Sequence, residues 1–120
     1  MTPDSRVRLT IPAEASYLSV CRAAVSGMLV GAGDDEVEES KLVLSEVCAA
    51  AVAHQRASTL EIEFRALPGA IEIAVIGAGV DAFLADPVAH EVVDRLTSGW
   101  RVERDPAGAG ASVIFSRRLR

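Results

Sequence analysis

A chain of 120 residues suits one domain, residues 1–120, large enough to bury a core without a disulfide or metal staple. With 50% hydrophobic and 24% charged residues it has the balance of a folded globular protein rather than a disordered one. A net charge of −5 argues against a non-specific nucleic-acid or membrane binder, and no apolar run reaches the ~18 residues of a membrane span.

The opening "MTPDSRVR" carries no apolar signal stretch, so a cytoplasmic location is expected. "RVRLTI" alternates, with Val7, Leu9 and Ile11 on one side, and predicts a half-buried strand ended by Pro12. From Ala13 to about Val30 the period changes. Leu18, Cys21, Val25 and Met28 recur every three or four residues and predict an amphipathic helix, stopped by "GAGDD". Asp35 with Glu38 reads as the capping box of a second helix, and the acids from Asp34 to Glu39 suit a helix N-terminus. That helix runs to about His54.

Leu60, Ile62 and Phe64 alternate with charged residues, "LPGA" at Leu67 to Ala70 is a turn, and Ile71, Ile73 and Val75 return as the second arm of a hairpin. "GAG" at Gly77 to Gly79 ends that arm. Asp86 then caps a third helix with Pro87 in its first turn; it runs to about Thr97, and Gly99 is expected to close it. Trp100 to Arg104 and Ser112 to Arg117 make a last hairpin around "DPAGAGA". The order β-α-α-β-β-α-β-β predicts an α+β two-layer sandwich: one mostly antiparallel five-stranded sheet with all three helices on one face.

Candidate chemistry is sparse. Glu46, Ala50 and His54 lie four residues apart on one helical stripe, beside the core stripe of Leu44, Val47, Cys48 and Ala51. A carboxylate at that border needs a pairing Arg, solvent or a pocket to line. His54 suits helix-end capping, His90 falls on an exposed helix position with no partner in view, and Asp81 suits capping of the segment after "GAGV". Cys21 and Cys48 belong to no CxxC or Cys/His cluster. They are expected to pack together as small hydrophobes, and no metal site is expected. "DPAGAG" feeds a strand, not a helix N-terminus, so it reads as turn chemistry rather than a phosphate loop. The terminal "RRLR" reads as a solvated tail.

"KLVLSEVCAAAVAHQ" resembles the N-box helix of the GHKL ATPase superfamily, and within it that of bacterial anti-sigma factor serine kinases, whose helix reads like L-x-x-S-E-x-x-x-N-x-x-x-H. The resemblance extends over nearly the whole chain. "LTIPAEASYLSVCRAAV" is similar to the family's opening, the strand before "GAGVDAF" to its Asp-x-Gly-x-Gly box, and "RVERDPAGAGASVIF" to its closing strands. It implies a Bergerat-type sandwich, with Glu46 at the position of the catalytic base and Gly77 and Gly79 as the glycines of the nucleotide box.

The departures fall on one site. Ala50 stands where the family has its magnesium-binding Asn, and alanine offers no oxygen ligand. Val75 stands where the family's Asp reads the adenine amino group. Between Gly79 and Gly99 there is no glycine, so the Gly-rich lid over the phosphates is missing. Phosphoryl transfer is mostly positioning and charge neutralisation. Glu46 is then a vestigial base, and no cofactor is expected.

The resemblance implies a regulatory binding module that sequesters a sigma factor or docks an anti-anti-sigma (STAS-type) protein. Homodimer formation would be near the first helix. Ser16, Ser19 and Arg22, off the core face of that helix, are the partner-binding candidates. Two other readings are carried beside it: a divergent ATP- and magnesium-dependent serine kinase that uses Glu46, and an adapter in a larger regulatory assembly.

Overall fold

The computed structural model describes residues 5–54, 57–108 and 110–119. In chain order the elements are strand β1 (Arg6–Pro12), a 3-10 turn (Ala15–Tyr17), helix α1 (Leu18–Met28), helix α2 (Asp34–His54), strands β2 (Thr59–Leu67) and β3 (Ala70–Ala78), a 3-10 segment (Val80–Ala85), helix α3 (Pro87–Leu96), and strands β4 (Gly99–Arg104) and β5 (Gly110–Arg118). The expected order is present. The five strands form one open sheet in the order β1-β2-β3-β5-β4, and every pairing is antiparallel.

The period-2 pattern decides which face is wet. In β2, Leu60, Ile62, Phe64 and Ala66 are buried; in β3, Ile71, Ile73 and Val75 are their counterparts. The register puts Ile73 opposite Phe64 and Phe115, and Val75 opposite Ile62 and Val113, so one face collects all of these side chains. Cys21 and Val25 of α1, Val43, Leu44, Val47, Cys48 and Ala51 of α2, and Ala89 and Val93 of α3 complete the same core. Each fully buried Val, Leu, Ile or Phe contributes about 1.5–3 kcal/mol relative to its exposed state.

The opposite face is polar along β1 and β2, and carries Ile76 and Ile114 on β3 and β5. Arg8 bridges Glu61 at 2.8 Å and Glu63 at 2.7 Å across the β1–β2 pair. β1 is less covered than its alternation suggests: Ile11 is buried, whereas Val7 at the far end of this edge strand is exposed.

Helix ends account for most local departures from expectation. The first helix is shorter than Ala13 to Val30, because the chain after Pro12 makes a 3-10 turn before α1 begins at Leu18. The capping box of α2 lies two residues upstream of Asp35 and Glu38. Glu36 Oε1 accepts from the backbone N–H of Gly33 at 3.3 Å, and Glu36 is buried. Glu38 instead pairs with Lys41 at 3.2 Å on the surface.

Asp86 caps α3 as expected. Its Oδ1 accepts from Val88 N at 3.0 Å and Ala89 N at 3.3 Å, with Pro87 in the first turn. Gly99 does not close α3; Thr97 takes an extended conformation there and Gly99 is the first residue of β4. Asp86→Ala leaves two amides of the first turn without their acceptor. It is expected to cost about 1 kcal/mol, which a thermal melt reads as a fall of roughly 4 °C.

The "RRLR" tail is also tied down at its first residue. Arg117 lies on the core side of β5, where its Nη2 meets Glu39 Oε2 at 2.6 Å and its Nη1 donates to the carbonyl of Leu96 at 3.1 Å. One guanidinium thus joins β5 to the first turns of α2 and the last turn of α3.

Candidate functional site

α2 owes its length to a run of strong helix formers around Ala49, Ala50, Ala51 and Ala53. It lies across the middle of the helical layer, packing against α1 on one side and against α3 and the 3-10 segment on the other. Val43, Leu44, Val47, Cys48 and Ala51 point into the core. Val43, which shares a helical stripe with Glu46 and Ala50, therefore belongs to the core face. Glu46 and Ala50 are half-buried at its border, and His54 is exposed in the last turn. Glu46 makes no hydrogen bond or ion pair with any described residue.

The two glycines after β3 have distinct physical roles. Gly77 sits where the strand passes close to β2: a Cβ there would lie 3.3 Å from Leu60 Cδ2 and 3.5 Å from the carbonyl of Thr59. Gly79 adopts φ +80°, a left-handed conformation that side-chain-bearing residues rarely take. It turns the chain out of the sheet directly into the 3-10 segment and precedes that segment's first residue.

This turn decides what fills the space between β3 and α2. Val75, Val80 and Phe83 are each fully buried, and Ala89 and Val93 of α3 join them. The other valines of α3 contribute less: Val88 is 66% exposed and Val92 half-buried. The short connection brings its own residues inward before the helix begins. Phe83 is held edge-on to Trp100, with ring centroids 5.6 Å apart at 75°.

Trp100 in turn meets His90 at 5.5 Å and 90°, and its Nε1 donates to Asp94 Oδ1 at 3.1 Å. His90 is thus not without partners: it closes an aromatic group with Phe83 and Trp100. Asp81 does not cap the segment after Gly79. Its carboxylate takes Arg104 Nε at 3.2 Å and Nη2 at 3.1 Å, which fastens the segment to β4.

One cavity, of about 370 Å³, borders Gly77 and is also lined by Ile76, Arg104, Ala111 and Ser112; two others lie elsewhere. A groove of about 370 Å³ runs between the α1–α2 connection, Met28 to Ala32, and the β2–β3 turn, at the end of the sheet away from Gly77. Another, of about 420 Å³, is lined by Gly33 to Glu36, Glu39 and Arg117. Neither includes Glu46, Ala50, Val75 or Gly79.

Ser16, Ser19 and Arg22 are exposed, and Ser19 Oγ lies 3.5 Å from the carbonyl of Ser16. Tyr17 and Val20, at 38% and 42% exposure, stand between them. The final turn holds itself together: Asp105 Oδ1 accepts from Ala107 N at 2.9 Å, and Asp105 N donates to the carbonyl of Gly110.

Among the described residues no group of three or more His, Cys, Asp and Glu could hold a metal ion, and no helix is long and apolar enough to cross a membrane. No protein-family model matches the sequence, and no curated protein matches it.

Proposed function

We propose that this chain is a regulatory protein-binding module of the anti-sigma-factor type, built on a GHKL-like sandwich whose nucleotide site no longer functions. The observation that carries the reading is the packing between β3 and α2. Under the resemblance, adenine would sit beside Val75 and Gly77 and the metal beside Ala50. That region is occupied by Val75, Val80 and Phe83, all fully buried, and the connection from Gly79 to Pro87 is too short to wrap phosphates as well. Apolar side chains offer a magnesium ion or a triphosphate no hard oxygen ligand and no charge.

A module without a working site acts through its surface. The proposed partner face is the outer side of the 3-10 turn and α1, with Ser16, Ser19 and Arg22 as polar contacts around the exposed Tyr17 and Val20. Mixed polar and aromatic patches of this kind suit protein contacts. The partner is a sigma factor or a STAS-type protein, and a second copy of the chain could share the same face.

Calorimetric titration with ATP and magnesium tests the reading, with no heat of binding expected up to millimolar nucleotide. Micromolar, magnesium-dependent binding would overturn it and favour the serine kinase with Glu46 as base. A capture assay with purified sigma factors and STAS-domain proteins from the source organism tests the partner class. Arg22→Glu is expected to weaken capture at least tenfold, equivalent to ~1.4 kcal/mol. Failure of every protein in the panel to bind would leave the adapter reading in its place.

A further inference from the structure

Cys21 and Cys48 come from different helices and meet in the core. Both are fully buried free thiols in one core cluster where α1 packs against α2, and each side chain is the main influence on the other's acidity. We propose that the two form a reversible intramolecular disulfide that fastens α1 to α2 when the chain meets an oxidising small-molecule disulfide.

The position of Cys21 makes the bond consequential. In α1 the buried residues are Cys21 and Val25. The preceding 3-10 turn buries none of its residues, and α1 has no side-chain hydrogen bond at its N-cap. The helix ends at Leu29 and passes into an exposed turn, where Gly31 adopts φ +92°. Shorter than α2 and with fewer fully buried residues, α1 opens locally more readily than α2. Opening exposes both sulfurs together, and a disulfide at a fully buried position of α1 then replaces a packing contact with a covalent one.

The two thiols are unequal in a way that orders the chemistry. The neighbouring Cys48 side chain holds the Cys21 thiol below its usual range, whereas the Cys21 side chain and then burial push Cys48 well up. Cys21 is therefore the first thiolate. It attacks one sulfur of R–S–S–R and breaks that bond. One RS⁻ leaves and takes up the proton Cys21 has lost. Cys48 then gives its proton to solvent, attacks Cys21 Sγ, and expels the second RS⁻, which is protonated in turn. The two protein thiols are oxidised to one disulfide and R–S–S–R is reduced to two RSH.

The test uses the reduced full chain and oxidised glutathione. Expected results are a mass lower by about 2 Da, a Cys21–Cys48 linked peptide after non-reducing digestion, and slower hydrogen exchange across α1. Cys48→Ala, a substitution of similar size in the core, is expected to stop at a glutathione adduct on Cys21. Two thiols still alkylatable after prolonged incubation would overturn the proposal. So would a glutathione adduct that persists on the unaltered chain, or a disulfide between two chains. The proposal does not depend on what α1 binds: nucleotide titration and partner capture can fail while the linked peptide forms, and the reverse.

Discussion

Ala50→Asn combined with Val75→Asp is expected to lower the melting temperature by roughly 10–20 °C and to leave ATP unbound. The pair restores the two side chains that the GHKL resemblance finds missing. Val75, however, is fully buried, opposite Ile62 and Val113 in the neighbouring strands. A carboxylate there loses its hydration with no described cation beside it, at a cost of about 3 kcal/mol or more. Half-buried Ala50 accommodates an amide with less strain, so most of the loss belongs to Val75→Asp. Each restored contact is worth ~1.5–3 kcal/mol at best, and Val80 and Phe83 would still occupy the space. Calorimetry and a thermal melt decide it: a double variant that melts like the parent and binds ATP tightly would mean that the interior opens readily.

Phe83→Ala is expected to cost about 3–5 kcal/mol, the largest effect of any single truncation in the 3-10 segment. The ring is fully buried and makes the edge contact that holds Trp100, so the substitution both empties the space beneath α2 and frees the indole. Urea denaturation followed by Trp100 emission should show a lower midpoint with an unchanged slope, the pattern of lost stability without a changed unfolded state. A loss below about 1 kcal/mol would show that the neighbours collapse into the gap, and that Phe83 is not what keeps the interior filled.

Much of the framework was legible because it is written in short-range patterns. The alternation in β2 and β3 placed Leu60, Ile62, Phe64, Ile71, Ile73 and Val75 on the core face, and the Asp86–Pro87 pair marked the start of α3 to the residue. Features that escaped the sequence are those set by distant groups. The capping box of α2 was sought at a residue with a side-chain acceptor, yet the N-cap position is Gly33, whose backbone N–H is served by Glu36. The role of Phe83 had no periodic signal. "VDAFLAD" matches no helix or strand template, and its path is set by the left-handed turn at Gly79 and by the Asp81–Arg104 tie. Arg117 read as part of a basic tail because its partners, Glu39 and the Leu96 carbonyl, lie on two other elements. Exposure of Ser19 and Arg22 agrees with helical phase, and Ser16 lies in the 3-10 turn before α1 rather than on the helix, but phase says nothing of what they touch.

The register of β1 bears on how the molecule assembles. Pairing Pro12 with Thr59 and Arg6 with Arg65 closes a loop that contains both α1 and α2. The β2–β3 and β4–β5 hairpins, by contrast, join neighbours in the chain and close at little entropic cost. Contacts of long sequence separation slow folding, so β1 is the strand whose arrival waits on the helices. Until it arrives, the free edge of β2 is a template for another chain. Glu61, Glu63 and Arg65, spaced along that edge, put charge between its apolar residues, which discourages wrong pairing during the wait.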